Sequence, residues 1–182
     1  MQQSKEAQRT ELVLGGARSG KSRYAEAQAV ASGQTVIYIA TAGAGDDEMS
    51  QRIAQHKAQR PSQWQTIEEP LDLAGVIRTH SAPHTCLLVD CLTLWLSNCL
   101  FDDSNTVLWA KRKADLLAAL RDVEGKVIMV SNEVGQGIVP LGEVSRRFVD
   151  ESGWLHQEIA AIADKVVFVV AGLPQVLKGA NN

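Results

Sequence analysis

Gly15-Gly16-Ala17-Arg18-Ser19-Gly20-Lys21-Ser22 follows the pattern G-x-x-x-x-G-K-[ST], and each residue type in it answers a need of polyphosphate binding. Glycines let backbone N–H groups face the phosphates, and the N-terminus of a following helix adds the positive end of its dipole. The Lys21 ammonium neutralises β and γ oxygens, and the Ser22 hydroxyl suits Mg²⁺. The flanks are those the pattern requires: Leu12-Val13-Leu14 reads as a buried strand ahead of the loop, and residues 23–29 as a helix behind it. A nucleoside triphosphate site is the expectation.

Asp90 is the next residue able to do chemistry. It ends the apolar run Leu87-Leu88-Val89, and an acid at the end of a strand neighbouring a phosphate loop contacts Mg²⁺ directly or through water. An Asp there also caps a following turn or helix, and the two roles are compatible. Neither names a reaction, since such a loop serves hydrolases, kinases, transferases and nucleotide-gated binders alike. The guanine-reading N-K-x-D pattern is missing, which weakens a signalling switch.

His56 has an unusual setting. On a regular helix over 47–59, Arg52, His56 and Arg60 fall at i, i+4 and i+8, with Lys57 beside them. Neighbouring cations disfavour the imidazolium and attract a triphosphate, a combination suited to a histidine that attacks phosphorus. By spacing alone, a solvated surface histidine is the commoner outcome. His80 and His84 read as loop residues, and His156 as a structural residue of an amphipathic segment.

The elements that must position these groups alternate. Strands are expected at 12–14, 36–39, 63–67, 87–90, 126–131 and 165–170. Helices are expected at 23–29, 47–59, 71–79, 105–123 and 144–163, the last open to a break at Gly153. This is the α/β pattern of a mostly parallel sheet flanked by helices, a single-domain, RecA-like P-loop NTPase fold over residues 11–182 behind a flexible leader at 1–10. A chain of 182 residues with 45% hydrophobic content suits one core. Its net charge of −3, with no basic run, argues against nucleic acid held by bulk electrostatics. Cys86, Cys91 and Cys99 lack metal-ligand spacing and read as reduced thiols in a cytoplasmic protein. No apolar run reaches the roughly 18 residues of a membrane span, and the polar residues 1–10 lack the apolar region of a signal peptide.

With these residues in view, the chain resembles the bifunctional adenosylcobinamide kinase/adenosylcobinamide-phosphate guanylyltransferases of cobalamin biosynthesis. The resemblance runs from about Leu12 to Lys178. It is carried by the phosphate loop with Arg23, Tyr38-Ile39-Ala40-Thr41-Ala42, Asp47-Glu48-Met49 with Arg52-Ile53 and His56-Lys57, and Arg60-Pro61 with Trp64 and Glu68. Leu87 to Thr93 and Val130 to Pro140 complete it. It implies phosphorylation of adenosylcobinamide by ATP or GTP, then transfer of GMP from GTP to adenosylcobinamide-phosphate through a guanylylated histidine, matched here by His56. It implies nucleotide contacts at Gly15, Gly16, Ala17, Arg18, Ser19, Gly20, Lys21 and Ser22. Further contacts are implied at Ala40, Thr41 and Ala42, at Lys57, Ala58, Gln59 and Arg60, and at Glu68 and Asp90. Ser22 and Asp90 would meet Mg²⁺. The match loosens after Pro70. The resemblance also implies a homotrimer, to which some of Trp64, Trp95, Trp109 and Trp154 would contribute if they are not core.

Asn132-Glu133-Val134-Gly135-Gln136-Gly137 follows a predicted strand and so shares the sheet edge with the phosphate loop. It reads either as a loop facing the corrinoid arm or metal, or as a turn stabilised by Asn and Gly. Two simpler activities stay open on the motifs alone: a one-reaction kinase of a small alcohol, and a nucleotide-gated binding protein.

Overall fold

A computed structural model describes residues 8–42, 61–101 and 106–179. Its centre is a seven-stranded sheet of β1 (Thr10–Gly15), β2 (Thr35–Ala40), β3 (Gln65–Glu68), β4 (Thr85–Asp90), β5 (Lys126–Asn132), β6 (Lys165–Val170) and β7 (Leu173–Lys178), ordered β3-β2-β4-β5-β1-β6-β7. The first six are parallel and β7 runs antiparallel against β6. Strands covered on both faces need apolar residues at successive positions, which is why ELVL, VIYIA, CLLV and VIMV read as nearly unbroken hydrophobic runs.

The helices divide unequally between the faces. On one, α1 (Lys21–Ala31) lays Ala25 and Ala29 against Val13, Tyr38, Leu88, Ile128 and Val167. On the other, α2 (Leu73–His80), α3 (Leu92–Phe101), α4 (Thr106–Arg121) and α5 (Glu143–Ile162) cover Leu12, Leu14, Leu87, Val89, Val127 and Met129. Handedness accounts for this. The chain leaves β1 in one direction to reach β2 and returns in the other through β4 and β5 to β6, so right-handed crossovers put the outward helix on one face and the return helices on the opposite one. The reversal leaves a crevice at the strand C-termini beside β1, where ligands of open α/β sheets bind.

Three elements differ from the sequence expectation. Helix α3 is unanticipated: its buried residues Leu92, Trp95, Leu96, Cys99 and Leu100 form one stripe at i, i+3, i+4, i+7 and i+8, but Leu94 and the exposed Phe101 on the opposite side weaken the contrast between its faces. Strand β7 is also unanticipated. It is an exposed edge bearing Pro174, joined to β6 through Ala171 (φ 51°) and Gly172 (φ 77°), a two-residue turn of the kind that matches strand twist. Helix α5 runs unbroken through Gly153, because burial of Ser152, Leu155, His156 and Ile159 outweighs the ~1 kcal/mol a glycine costs in a helix. The helix expected at 47–59 lies outside the described residues. The first strand begins slightly earlier than expected: Thr10 belongs to β1, and the Arg9 and Thr10 amides donate to Asp164 Oδ2 at 2.8 and 2.9 Å.

The tryptophans separate. Trp95 and Trp109 are core, with ring centroids 5.4 Å apart, Trp64 is half-buried, and Trp154 is exposed. All three cysteines are buried and free.

Candidate active site

The phosphate loop joins the end of β1 to α1. At Gly15 a Cβ would meet Ser19 Oγ at 2.5 Å and Val169 O at 2.6 Å, so only glycine fits where the loop folds back on the sheet. Gly20 caps α1 with φ 95°, a conformation L-residues rarely adopt, and no side chain caps the helix. The first-turn amides are thus left to an incoming anion. Arg18 (φ 55°) is exposed with Ala17 at the tip, and Ser19 Oγ is buried without a partner. Lys21 turns back to donate to Gly16 O at 3.1 Å and is 9% exposed; burial pulls its pKa down, while Cys91 and Asp90 push it up. A phosphate would relieve that desolvation.

The hairpin turn between β6 and β7 braces this loop. Gly172 N–H donates to Ser19 O at 2.8 Å, and a Cβ on Gly20 would lie 3.1 Å from Gly172 Cα. The unanticipated strand therefore holds the phosphate loop from outside.

Asp90 ends β4 on the α1 face, the face of Cys86 and Leu88. Tyr38 Oη donates to Asp90 Oδ2 at 2.8 Å, fixing the carboxylate. Beside it, Thr41 is fully buried: its hydroxyl donates to Cys91 O at 2.7 Å and accepts from Cys91 N–H at 2.8 Å. Asn98 Nδ2 donates to Thr41 O at 2.7 Å and to Pro70 O at 3.1 Å. The Ala40-Thr41-Ala42 turn is thereby clamped to the end of β4, and the Thr41 side chain is committed to the protein. Cys91 is no candidate nucleophile, since burial, then Asp90, pushes its thiol up to about 11.

Of the residues expected to bind nucleotide, the structure brings together the whole phosphate loop, Asp90 and the Ala40–Ala42 turn. Glu68 sits at the same edge opposite Ala40, but on the outermost strand. Four strand spacings put it about 19 Å from β1, too far for the phosphates Lys21 holds. His56, Lys57, Ala58, Gln59 and Arg60 lie outside the described residues. Among the described residues no cluster of three His, Cys, Asp or Glu side chains is placed to hold a metal. A cation met by Ser22 and Asp90 would take its remaining ligands from phosphate and water.

Beyond β5, residues 133–141 run along the same edge. Ile138 and Leu141 are 98% and 97% exposed, and a cavity of about 270 Å³ lies between this segment and α5, lined by Val134, Ile138, Val139, Pro140, Arg146 and Val149. His156, on the buried face of α5, reaches the strand end beneath this segment, and its Nε2 lies 2.7 Å from Ser131 Oγ. No spacing in the sequence signals that contact.

Such a loop, cation and acid on a mostly parallel sheet define a P-loop nucleotide-binding enzyme of RecA-like fold. The fold is shared with the RadB recombinase (TM-score 0.50, 16% identity, covering 87% of this chain and 73% of that one) and with a protein of Pyrococcus horikoshii OT3 (TM-score 0.58, 9% identity, 96% and 88%). Residues 11–177 match the family CobU, cobinamide kinase / cobinamide phosphate guanyltransferase. Relatives are the bifunctional adenosylcobalamin biosynthesis proteins CobP of Pseudomonas aeruginosa (59% identical, over 93% of this chain and 97% of that one) and CobU of Escherichia coli K12 (40% identical, 92% and 98%). The chain belongs to this family of bifunctional enzymes.

Proposed function

We propose that this chain phosphorylates the hydroxyl of the aminopropanol arm of adenosylcobinamide with ATP or GTP. It then transfers GMP from GTP to the resulting phosphate, giving adenosylcobinamide-GDP and pyrophosphate. The observation that carries the reading is the convergence of the phosphate loop, Lys21 and Asp90 at one sheet edge in a chain matched to the family over residues 11–177.

The loop amides and Lys21 grip the polyphosphate, and Lys21 offsets charge that builds on the leaving oxygens. The hydroxyl of Ser22 and the carboxylate of Asp90, held by Tyr38, are hard oxygen donors, a pair of types that fits Mg²⁺. When bound, Mg²⁺ would neutralise phosphate charge. In the second reaction the neutral imidazole of His56 attacks the α-phosphorus of GTP, pyrophosphate leaves, and the substrate phosphate then displaces GMP from the histidine. Arg60 and Lys57 attract the triphosphate. Glu68, remote from the phosphate loop, suits the ribose or base of a nucleotide at that second centre. The cavity above α5 suits the corrinoid arm, the exposed apolar residues Ile138, Val139, Leu141 and Val144 suit subunit contacts in a homotrimer, and the compartment is the cytoplasm.

Incubation with α-labelled or γ-labelled GTP tests the assignment. The α label should stay on the wild-type protein and be absent from His56→Ala, which should still pass γ label to adenosylcobinamide. Stoichiometric α label on His56→Ala would place the nucleophile elsewhere.

A further inference from the structure

Behind the phosphate loop, on the face opposite α1, four polar residues from three stretches of chain form one line. Asn132 N–H donates to Thr93 Oγ1 at 2.7 Å, Thr93 Oγ1 lies 3.2 Å from Ser131 Oγ, and Ser131 Oγ lies 2.7 Å from His156 Nε2. His156 Nδ1 faces Glu133 Oε2 at 3.7 Å. Ser131 and His156 are 1% and 6% exposed on a face whose other β5 residues are Val127 and Met129. Polar groups persist there only if their bonds are made.

The line has a preferred direction. Thr93 Oγ1, already accepting from Asn132, donates to Ser131, and Ser131 donates to Nε2, so the ring proton resides on Nδ1 and points at the Glu133 carboxylate. The reverse order would aim a bare nitrogen lone pair at a carboxylate. Burial holds His156 below its ordinary pKa, which Glu133 opposes, keeping a neutral ring as donor.

Nδ1 is buried without a hydrogen-bond partner, and closing it onto Glu133 takes less than an ångström. Glu133 is held from two other sides. Its Oε1 accepts from Gly135 N–H at 2.6 Å, and its backbone N–H donates to Gly15 O at 3.0 Å, which fixes it beside the first residue of the phosphate loop. Its side chain keeps 21% exposure, and each carboxylate oxygen has a second lone pair beyond the one directed at Gly135 or His156.

The two transfers differ in what their acceptors need. The arm hydroxyl is neutral and must lose a proton as it is phosphorylated, whereas the acceptor of GMP is already a phosphate anion. We infer that Glu133 accepts the hydroxyl proton during phosphoryl transfer, and that His156, set by Ser131 and Thr93, is the positioning residue that aims the carboxylate. The inference rests on the kinase reading above. In the step, the alcohol oxygen forms its bond to the γ-phosphorus while the bond from that phosphorus to the β–γ bridging oxygen breaks. The O–H proton passes to Glu133, the nucleoside diphosphate leaves with the bridging oxygen and its electron pair, and the carboxylic acid returns its proton to water.

The full chain tests this with the two reactions assayed apart: γ-phosphoryl transfer to adenosylcobinamide, and GMP transfer to adenosylcobinamide-phosphate supplied directly. Glu133→Gln should lower the kinase kcat about 100-fold, within the usual range for a positioned base, with nucleotide KM and GMP transfer within about threefold of wild type. His156→Leu should lower the kinase kcat about tenfold, and His156→Asn, which keeps an N–H near the Nδ1 position, should recover most of it. Should His156→Leu not fold, Ser131→Ala, which frees only Nε2, should show the same selective kinase loss. Kinase kcat within about fivefold of wild type in Glu133→Gln, or parallel loss of both reactions, overturns the inference. A wild-type protein that makes neither product overturns the activity reading instead, without any variant.

Discussion

Thr41→Val is a nearly isosteric change with a large expected cost. The Thr41 hydroxyl donates to one main-chain group of Cys91 and accepts from the other, with Thr41 fully buried and Cys91 8% exposed. Valine keeps the volume and removes both bonds; the Cys91 C=O still accepts from Trp95 N–H at 3.2 Å, so the Cys91 N–H is the group stranded where water does not reach. The stranded N–H costs about 1–3 kcal/mol, while the lost bond to the carbonyl, about 1 kcal/mol, is nearly offset by the added methyl, so the net loss is roughly 2 kcal/mol. Thr41→Ser keeps the oxygen, loses one methyl and should cost about 1 kcal/mol. Urea unfolding followed by circular dichroism reads both: with a slope of about 2 kcal/mol/M, the valine midpoint should fall by about 1 M and the serine midpoint by about 0.5 M. Because the clamp sets the turn that follows Asp90, nucleotide affinity of the folded valine protein should drop as well. A valine variant as stable as the serine one would refute the reasoning, and it would return the Thr41 hydroxyl to the pool of free nucleotide ligands.

At the hairpin turn, Gly172→Ala meets no atom within 4 Å and should lose only the ~1 kcal/mol of a left-handed alanine. Gly20→Ala adds contact with Gly172 to a φ of +95° and should also raise nucleotide KM several-fold; equal effects on KM would show that the turn does not brace the loop. His156 is held below its ordinary value of 6.5 by burial, so the unfolded chain binds the extra proton first as pH falls. Its contribution is therefore complete above 6.5 and lost below it, down through the depressed folded value. Denaturation across this window should show a steeper fall for wild type than for His156→Asn, and identical slopes would contradict a buried neutral ring.

The legible parts of this molecule are those whose physics is local. The phosphate loop declares itself within eight residues, because conformational freedom, charge and hydroxyl must follow one another along a single turn. Central strands declare themselves because burial on both faces forces long apolar runs. Helix α3 is hidden by the apolar residues Leu94 and Phe101 outside its buried stripe, and β7 by having almost no burial. Glu68 stands at the strand ends as its pattern implies, but strand order, which no local pattern encodes, decides that it occupies the edge farthest from the phosphate loop. His156 belongs to the amphipathic helix, as its spacing suggests. Its partner Ser131 lies 25 residues earlier on another element, and only packing joins the two.

That pairing shows how one sheet edge can hold two kinds of chemistry without their colliding. Alternate strand residues point to opposite faces, so Asp90, following Cys86 and Leu88, joins Tyr38 and Lys21 on the α1 side. Ser131, following Val127 and Met129, joins Thr93 and His156 on the other. Charge neutralisation and proton acceptance thus approach the phosphate loop from the two sides of one sheet. Cations placed among the hydroxyl–imidazole line would draw off the carboxylate that the line aims, and a carboxylate among the cations would oppose phosphate binding. A slip of one residue in β5 would turn Ser131 toward α1 and bring Val130 against His156. The parallel register of β1 with β5, Leu14 to Ser131 and Gly15 to Asn132, is therefore as much a determinant of the chemistry as the loop sequence itself.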